Sequence, residues 1–361
     1  MSNILKKVVL LLILISFSVI GIKAHTMTAD FSVSPLLPAN QFKANEGFFD
    51  LLMKPGEQQE VEVRVINYSA KSLSIEIAVA NATTNSNGLV EYVPNKIKPD
   101  KSLLYPLKDY VSYPAEPTIP PRSSQLVTFK VIMPSENFKG VIAGGLTFKA
   151  KQKDETQLKL KQGEALTSQY QYNIALLLHQ NKEIIPPELK LTNMQVSALD
   201  RDCVINVNLQ NSAMTYLSGM NIEATIKGKT NPGLKYSLKN SGLQMAPNSN
   251  FNLPIPMIGQ AGGDKTLQAG KYHLQLVAYG KNSPEGKYES KDAQGNQAKY
   301  EYKWTFDRDF TVTKEEVGVL NRQAANKYQD DLINWLVFSV ILFVLLPILA
   351  VMLLIWRKQG K

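Results

Sequence analysis

From Asp30 to Val312 the chain alternates apolar and polar residues with the period of a strand, and no stretch there carries a helical period. Lys54-Pro55-Gly56 marks a turn, after which Val61, Val63 and Val65 alternate with Glu62 and Arg64. Leu73, Ile75, Ile77 and Val79 form the next apolar face, and Asn87-Gly88 reads as a tight turn before Leu89 to Val93. Proline crowds the stretch from Pro94 to Pro121, which suits edges and long connections better than central strands. Gln125 to Met133 and Gly140 to Lys149 supply further strands. The polar run Lys151 to Gly163 reads either as an exposed hairpin or as the linker between domains, and the domain cut is placed there. Each half is then expected to fold alone when the chain is divided within that run.

The same grammar repeats afterwards. Tyr172 to His179 is strongly apolar, Ile185-Pro186-Pro187 interrupts, and Val204, Val207 and Leu209 lead to Asn211. Met220 to Ile226, Phe251 to Pro256, Tyr272 to Tyr279 and Trp304 to Val312 predict the remaining strands, with Gly280 to Lys299 as a long exposed loop. Many short strands separated by turns predict an all-β chain of two immunoglobulin-like β-sandwich domains in tandem, 30–150 and 164–312. At Thr313 the period changes. Thr313-Lys314-Glu315-Glu316 fits a capping box, and Val317, Leu320, Ala324 and Tyr328 share one helical stripe, so a short juxtamembrane helix is predicted over 313–334.

Both ends depart from this pattern. Trp335 to Trp356 contains no charge, and as a helix it would extend roughly 33 Å, enough for the apolar core of a bilayer. Trp335 and Trp356 stand at the two rims, Pro347 is tolerated inside such a helix, and Arg357, Lys358 and Lys361 form a cytoplasmic tail by the positive-inside rule. At the other end, Lys6 and Lys7 precede the apolar run Val8 to Ile22, the order of a secretory signal. Cleavage is expected after Ala24 or Ala29. The expected topology is therefore a single C-terminal membrane span with an exported ectodomain.

Charge follows from this topology. Six of the 40 basic residues lie in the two ends, leaving 34 against 31 acidic residues, a net of +3 on the exported part. The basic balance therefore gives no argument for nucleic acid. The lone cysteine, Cys203, excludes an internal disulfide framework, and an exported chain without one points to a Gram-positive envelope. On that reading the sequons at Asn67 and Asn81 carry no glycan.

No catalytic constellation emerges. His25 stands near the cleavage sites, while His179 and His273 sit inside apolar strands, where a hydrogen-bonded structural histidine is the expected reading. No His, Cys, Asp or Glu set has metal-ligand spacing, and no cofactor motif occurs. The Asn85–Gly88 and Asp292–Asn296 turns lack the closing carboxylate of a calcium loop.

Ten stretches nevertheless point to a family. They are Phe31-Ser32-Val33-Ser34-Pro35, Gly47-Phe48-Phe49-Asp50-Leu51, Lys54-Pro55-Gly56, Val65 to Asn67, and Asn81 to Gly88 in the first block. In the second they are Leu209-Gln210-Asn211, Met245-Ala246-Pro247-Asn248-Ser249, Ala269-Gly270-Lys271-Tyr272, Trp304-Thr305-Phe306 and Phe310-Thr311-Val312. In this order, and followed by the anchor, they make the chain resemble the WxL-interacting proteins of Gram-positive bacteria. The resemblance implies a first domain that binds peptidoglycan and a second that binds host surface components, including extracellular-matrix proteins. It also implies a role in holding WxL-domain surface proteins at the wall.

The resemblance assigns no contact residues. Asn81, Thr83, Thr84, Asn85, Asn87 and Gly88 are candidates for ligand contact, or for a turn whose side chains bond the backbone. Met245, Ala246, Pro247 and Asn248 are candidates too, or a strand entry shaped by Pro247. The expected function is a non-catalytic, membrane-anchored scaffold or adhesion protein. An envelope assembly chaperone or a wall-glycan enzyme built on the same sandwiches is the alternative.

Overall fold

The computed structural model describes residues 29–44, 46–151, 170–199, 202–257 and 268–320, with short helical pieces between 333 and 346. The signal region, most of the Lys151 to Gly163 run, and Pro347, Trp356, Arg357 and Lys358 lie outside the described residues.

The first domain is laid down by β1 (Phe31–Leu36), β2 (Phe49–Leu52), β3 (Gln58–Asn67), β4 (Leu73–Asn81), β5 (Thr83–Thr84) and β6 (Val90–Glu91). A single 3-10 turn, Leu107–Tyr110, precedes β7 (Val111–Ser112), β8 (Thr118–Ile119), β9 (Ser124–Ile132), β10 (Ile142–Ala150) and β11 (Gln171–His179). One sheet has the order β1-β3-β9-β7 and the other β2-β11-β10-β4-β8. Alternation along β3 and β4 turns Val61, Val63, Val65, Ile75 and Ile77 inward, as the apolar pattern predicts. They meet Phe129, Leu146, Phe148 and Leu176 in one core shared by both sheets.

The strand pairing crosses the expected domain cut. β11 was expected to open the second domain, yet it pairs antiparallel with β10 from Ile142↔Leu178 to Lys149↔Gln171, and parallel with β2. Its Ile174, Leu176 and Leu178 belong to the first core. Residues 152–169 between these strands lie outside the described residues, and the strand pairing crosses to the second domain after His179. The physical reason is plain: β10 needs a neighbour on each side, and an apolar strand that directly follows it supplies one.

The second domain comprises β12 (Leu189–Leu199), β13 (Asp202–Asn211), β14 (Leu217–Gly228), β15 (Lys235–Met245), β16 (Ser249–Pro256), β17 (Gly270–Asn282), β18 (Tyr288–Lys291) and β19 (Gln297–Val312). Its sheets are β12-β13-β16 and β15-β14-β17-β19-β18, so the stretch expected as a loop, Gly280 to Lys299, in fact contains a short strand. One core unites Ile205, Val207, Leu209, Ile222, Ile226, Leu253, Leu274 and Leu276 from both sheets.

The capping box forms as the sequence predicts. Thr313 N donates to Glu316 Oε2 at 2.7 Å and Glu316 N donates to Thr313 Oγ1 at 3.2 Å, opening a helix over 314–320. Leu320 from that helix closes the second core. Among the described residues no helix is long and apolar enough to cross a membrane.

Candidate ligand cleft at the domain seam

The two stretches singled out as contact candidates, bonded to each other across 162 and 165 residues, meet where the domains join. β5 and β6 form a small hairpin that leaves the first domain and lies against the β15–β16 turn of the second. Thr84, buried to 1% exposure, bonds Ser249 Oγ at 2.7 Å and accepts from Ala246 N at 3.0 Å. Gly88 offers its carbonyl to Gln244 N at 2.7 Å, and Met214 O accepts from Val141 N at 2.8 Å. Ala82, Val141, Ala143, Leu177 and Ala246 form a small apolar cluster between these bonds, flanked by Phe48, Val90, Tyr92 and Tyr216.

Of the sequence candidates, Thr84, Gly88 and Ala246 bond across the seam, whereas Asn81, Thr83, Asn85 and Asn87 bond within the first domain. Asn85 Oδ1 accepts from Asn87 N and Leu89 N at 2.9 and 3.1 Å, which is the Asx-type turn expected of such a segment. Gly88 sits at φ 68°, where a side chain would be strained. Asn81 Oδ1 accepts from Leu107 N at 2.6 Å, and Thr83 Oγ1 accepts from Asn95 Nδ2 at 2.7 Å. Ala246-Pro247-Asn248-Ser249 is a turn with proline second and a left-handed asparagine (φ 48°) third, the type II pattern. Met245, Ala246 and Pro247 are buried, Met245 in the second core and Ala246 in the small apolar cluster of the seam. Asn248 is 6% exposed and donates to Ser212 O at 2.9 Å.

Beside the seam lies an open cleft of 850 Å³, with a smaller cavity of 240 Å³ next to it. Its volume falls within the range of ligand sites, about 300–1,000 Å³. One lip is the proline-rich connection Asn95 to Lys101, and the floor is the outward face of β13 and β16. Because strand side chains alternate, Val207, Leu209, Phe251 and Leu253 face the core while Asn208, Gln210, Asn250 and Asn252 face outward. Asn208 Nδ2 donates to Asn250 Oδ1 at 3.0 Å and to Asn252 Oδ1 at 2.8 Å. Thr192 Oγ1 hydrogen-bonds Asn208 Oδ1.

Asp100 joins the lip to the floor. Its two carboxylate oxygens accept from Gln210 Nε2 at 2.8 Å and from Asn250 Nδ2 at 2.5 Å. Burial alone would raise the Asp100 carboxyl, but hydrogen bonds from Ser102, Gln210 and Asn250 outweigh it and hold it below the usual carboxylate value. Tyr92 Oη donates to Tyr216 Oη at 3.1 Å across the seam, and burial drives the Tyr216 phenol well above its usual value. Both therefore stay protonated at neutral pH. The lip, Asp100 and β13 were invisible as a site in the sequence; the only signal was the density of amides on alternate positions of β13 and β16.

The histidines lie elsewhere. His179 Nε2 stands 2.9 Å from Asp50 Oδ1 and its ring stacks on Phe42 at 4.0 Å. That oxygen has no partner of proper hydrogen-bond geometry, so the contact is a close approach rather than an aligned bond. His273 lies between Asp307 and Asp309 on the outer sheet face. Among the described residues no group of three or more His, Cys, Asp or Glu is placed to hold a metal ion.

Two β domains joined through a seam, with an open cleft along it, define the class: a tandem β protein. Family models then match almost the whole described chain. The WxL Interacting Protein peptidoglycan binding domain covers residues 31–150, and the WxL Interacting Protein host binding domain covers 161–322. The chain belongs to the WxL-interacting protein family. No curated protein matches it. Similar solved structures include the Salmonella enterica SafA pilin in complex with the SafB chaperone, at 7% identity over 78% of this chain and 97% of that one, TM-score 0.28. Another is the Pseudomonas aeruginosa CupB2 chaperone, at 12% identity over 71% and 95%, TM-score 0.25. A third is a family 123 glycoside hydrolase from Clostridium perfringens, at 10% identity over 44% and 28%, TM-score 0.22.

Proposed function

We propose that this protein is a membrane-anchored, non-catalytic scaffold of the Gram-positive surface. On this reading its two-sheet domains are immunoglobulin-like sandwiches, the first holding peptidoglycan and the second engaging WxL-domain proteins or host extracellular-matrix components. The observation that carries it is the open, amide-floored cleft at the seam of two domains that both match a wall-protein family. Such a surface offers hydrogen bonds in number.

The anchor reading rests on the uncharged run from Trp335 to Trp356. Residues 335–343 are helical, and Trp335, Phe338 and Phe343 are 67%, 64% and 79% exposed, an apolar surface that a lipid phase would cover. The first block carries 12 basic and 12 acidic residues between Asp30 and Ala150, so bulk charge gives no reason for retention on an anionic wall.

The test is co-sedimentation of the detergent-purified full chain with wall sacculi, with and without teichoic acid, across a salt series. Retention on sacculi stripped of teichoic acid is expected. Sedimentation only when teichoic acid is present would overturn the peptidoglycan reading. Protease treatment of protoplasts should digest the ectodomain and spare a tag after Lys361; loss of the tag would overturn the topology.

A further inference from the structure

The cleft floor comes from the second domain and its lip from the first, so any ligand filling it touches both. The hydrogen bonds already made fix which valences remain. Asn208 spends both amide hydrogens on Asn250 and Asn252, while Gln210 and Asn250 donate to Asp100. What remains open among the described lining residues is the Asn252 amide group, one amide hydrogen each of Gln210 and Asn250, the Gln210 Oε1 acceptor, and the ammonium groups of Lys98 and Lys101 on the lip. Both lysines are exposed, and neither forms a salt bridge among the described residues. The lining acids are already engaged: Asp100 by the floor amides, and Glu91 by Asn85 at 2.7 Å and Asn95 at 3.0 Å.

An acceptor-rich, anionic ligand matches that set of free donors. Ammonium groups pair with carboxylates through charge-assisted bonds, and the Asn252 amide with the second amide hydrogens of Gln210 and Asn250 can meet the carbonyls of an extended peptide. Sugar rings alone would leave the two cations without partners. We propose that the cleft takes a carboxylate-bearing, extended peptide segment of the wall polymer, its stem peptide, and that both domains are needed to hold it. This rests on the peptidoglycan reading above and narrows it. It also revises the expectation that the first domain suffices, since Asn252 and Asn208 lie on the other domain.

Titration calorimetry of the full chain in detergent separates the sources, with three probes: a disaccharide–peptide fragment, peptide-free glycan strands, and teichoic acid. The fragment is expected to bind and the peptide-free glycan is not. The K98A/K101A pair, which removes no internal bond, should weaken fragment binding about tenfold or more and flatten its salt dependence. Asn252→Ala, in the second domain, should weaken it severalfold, while Lys235→Ala, on β15 and outside the cleft lining, should leave it unchanged. Equal binding of peptide-free glycan, preference for teichoic acid, or unchanged affinity in K98A/K101A would each overturn the inference. If the variants still sediment with sacculi like the parent chain, wall binding stands and this site falls. If the parent chain does not sediment at all, both fall.

Discussion

Thr84 and Ser249, on different domains, share a buried hydroxyl–hydroxyl bond of 2.7 Å, and Thr84 Oγ1 also accepts the Ala246 amide. Replacing that oxygen by a methyl group keeps the volume and leaves the Ala246 N–H without its partner inside the seam. An unsatisfied buried donor costs about 1–3 kcal/mol. Thr84→Val is therefore expected to lower the urea midpoint and to separate the unfolding of the two domains into distinct steps. Unchanged midpoint and unchanged cooperativity, followed by fluorescence and calorimetry together, would show that the bond holds nothing.

The position of β11 leads to a second expectation. A first-domain fragment ending within Lys151 to Gly163 lacks Ile174, Leu176 and Leu178, whose side chains fill the core between the sheets. Each buried aliphatic side chain contributes about 1.5–3 kcal/mol, and three together rival the whole stability of a domain, about 5–15 kcal/mol. Such a fragment is expected to be unfolded, whereas one ending at Lys182 retains the strand and folds. Circular dichroism melts of the two fragments decide it. A cooperative melt of the shorter one would mean that β11 is dispensable.

These two cases mark what was legible in the chain. Val61, Val63, Val65, Ile75 and Ile77 are buried as their alternation demands, because the period-2 signal is local and a strand with one face inward leaves no other choice. The Thr313–Glu316 box is likewise written within four residues. Ownership of β11 was not legible, since an apolar strand after a polar run pairs equally well forward or backward until both sheets are assembled. The cleft was less legible still. Asn81 to Gly88 and Met245 to Ser249 could be marked as unusual, but Asp100, Gln210 and Asn250 meet over more than a hundred residues of sequence. No local period reports such a contact.

Asp100 also gives a pH dependence. Its folded-state carboxyl lies below the usual value because Ser102, Gln210 and Asn250 donate to it against the cost of burial. A depressed folded value means that the ionised carboxylate adds stability above the unfolded-state pKa, and that this is lost as pH falls through the folded one. Solvent reaches the group, which limits the size of the effect. The difference in urea midpoint between the parent chain and Asp100→Asn should be largest near neutral pH and should close on acidification. A gap that widens toward acid would mean that the carboxylate is not held by these amides.

The seam's two tight glycines should respond unequally to the same added methyl group. At Gly88, φ 68°, a Cβ would come 2.7 Å from Leu243 Cδ2 and 3.2 Å from Leu243 Cβ, atoms of a buried side chain and not of the backbone. The cost there combines left-handed backbone strain, about 1–2 kcal/mol, with a shift of that side chain. At Gly140, φ 98°, the Cβ would lie 2.2 Å from the carbonyl oxygen of Met214. That oxygen accepts the neighbouring Val141 amide and belongs to the backbone of the other domain, so it cannot move without opening the seam. Gly140→Ala must either break this bond or displace the domains, whereas Gly88→Ala keeps the Gln244-to-Gly88 bond within reach. In urea titrations of the full chain, Gly140→Ala should lose clearly more stability than Gly88→Ala and should alone uncouple the domain transitions. The reverse order would place the rigid part of the seam at the β5–β6 hairpin and not at the Val141–Met214 contact.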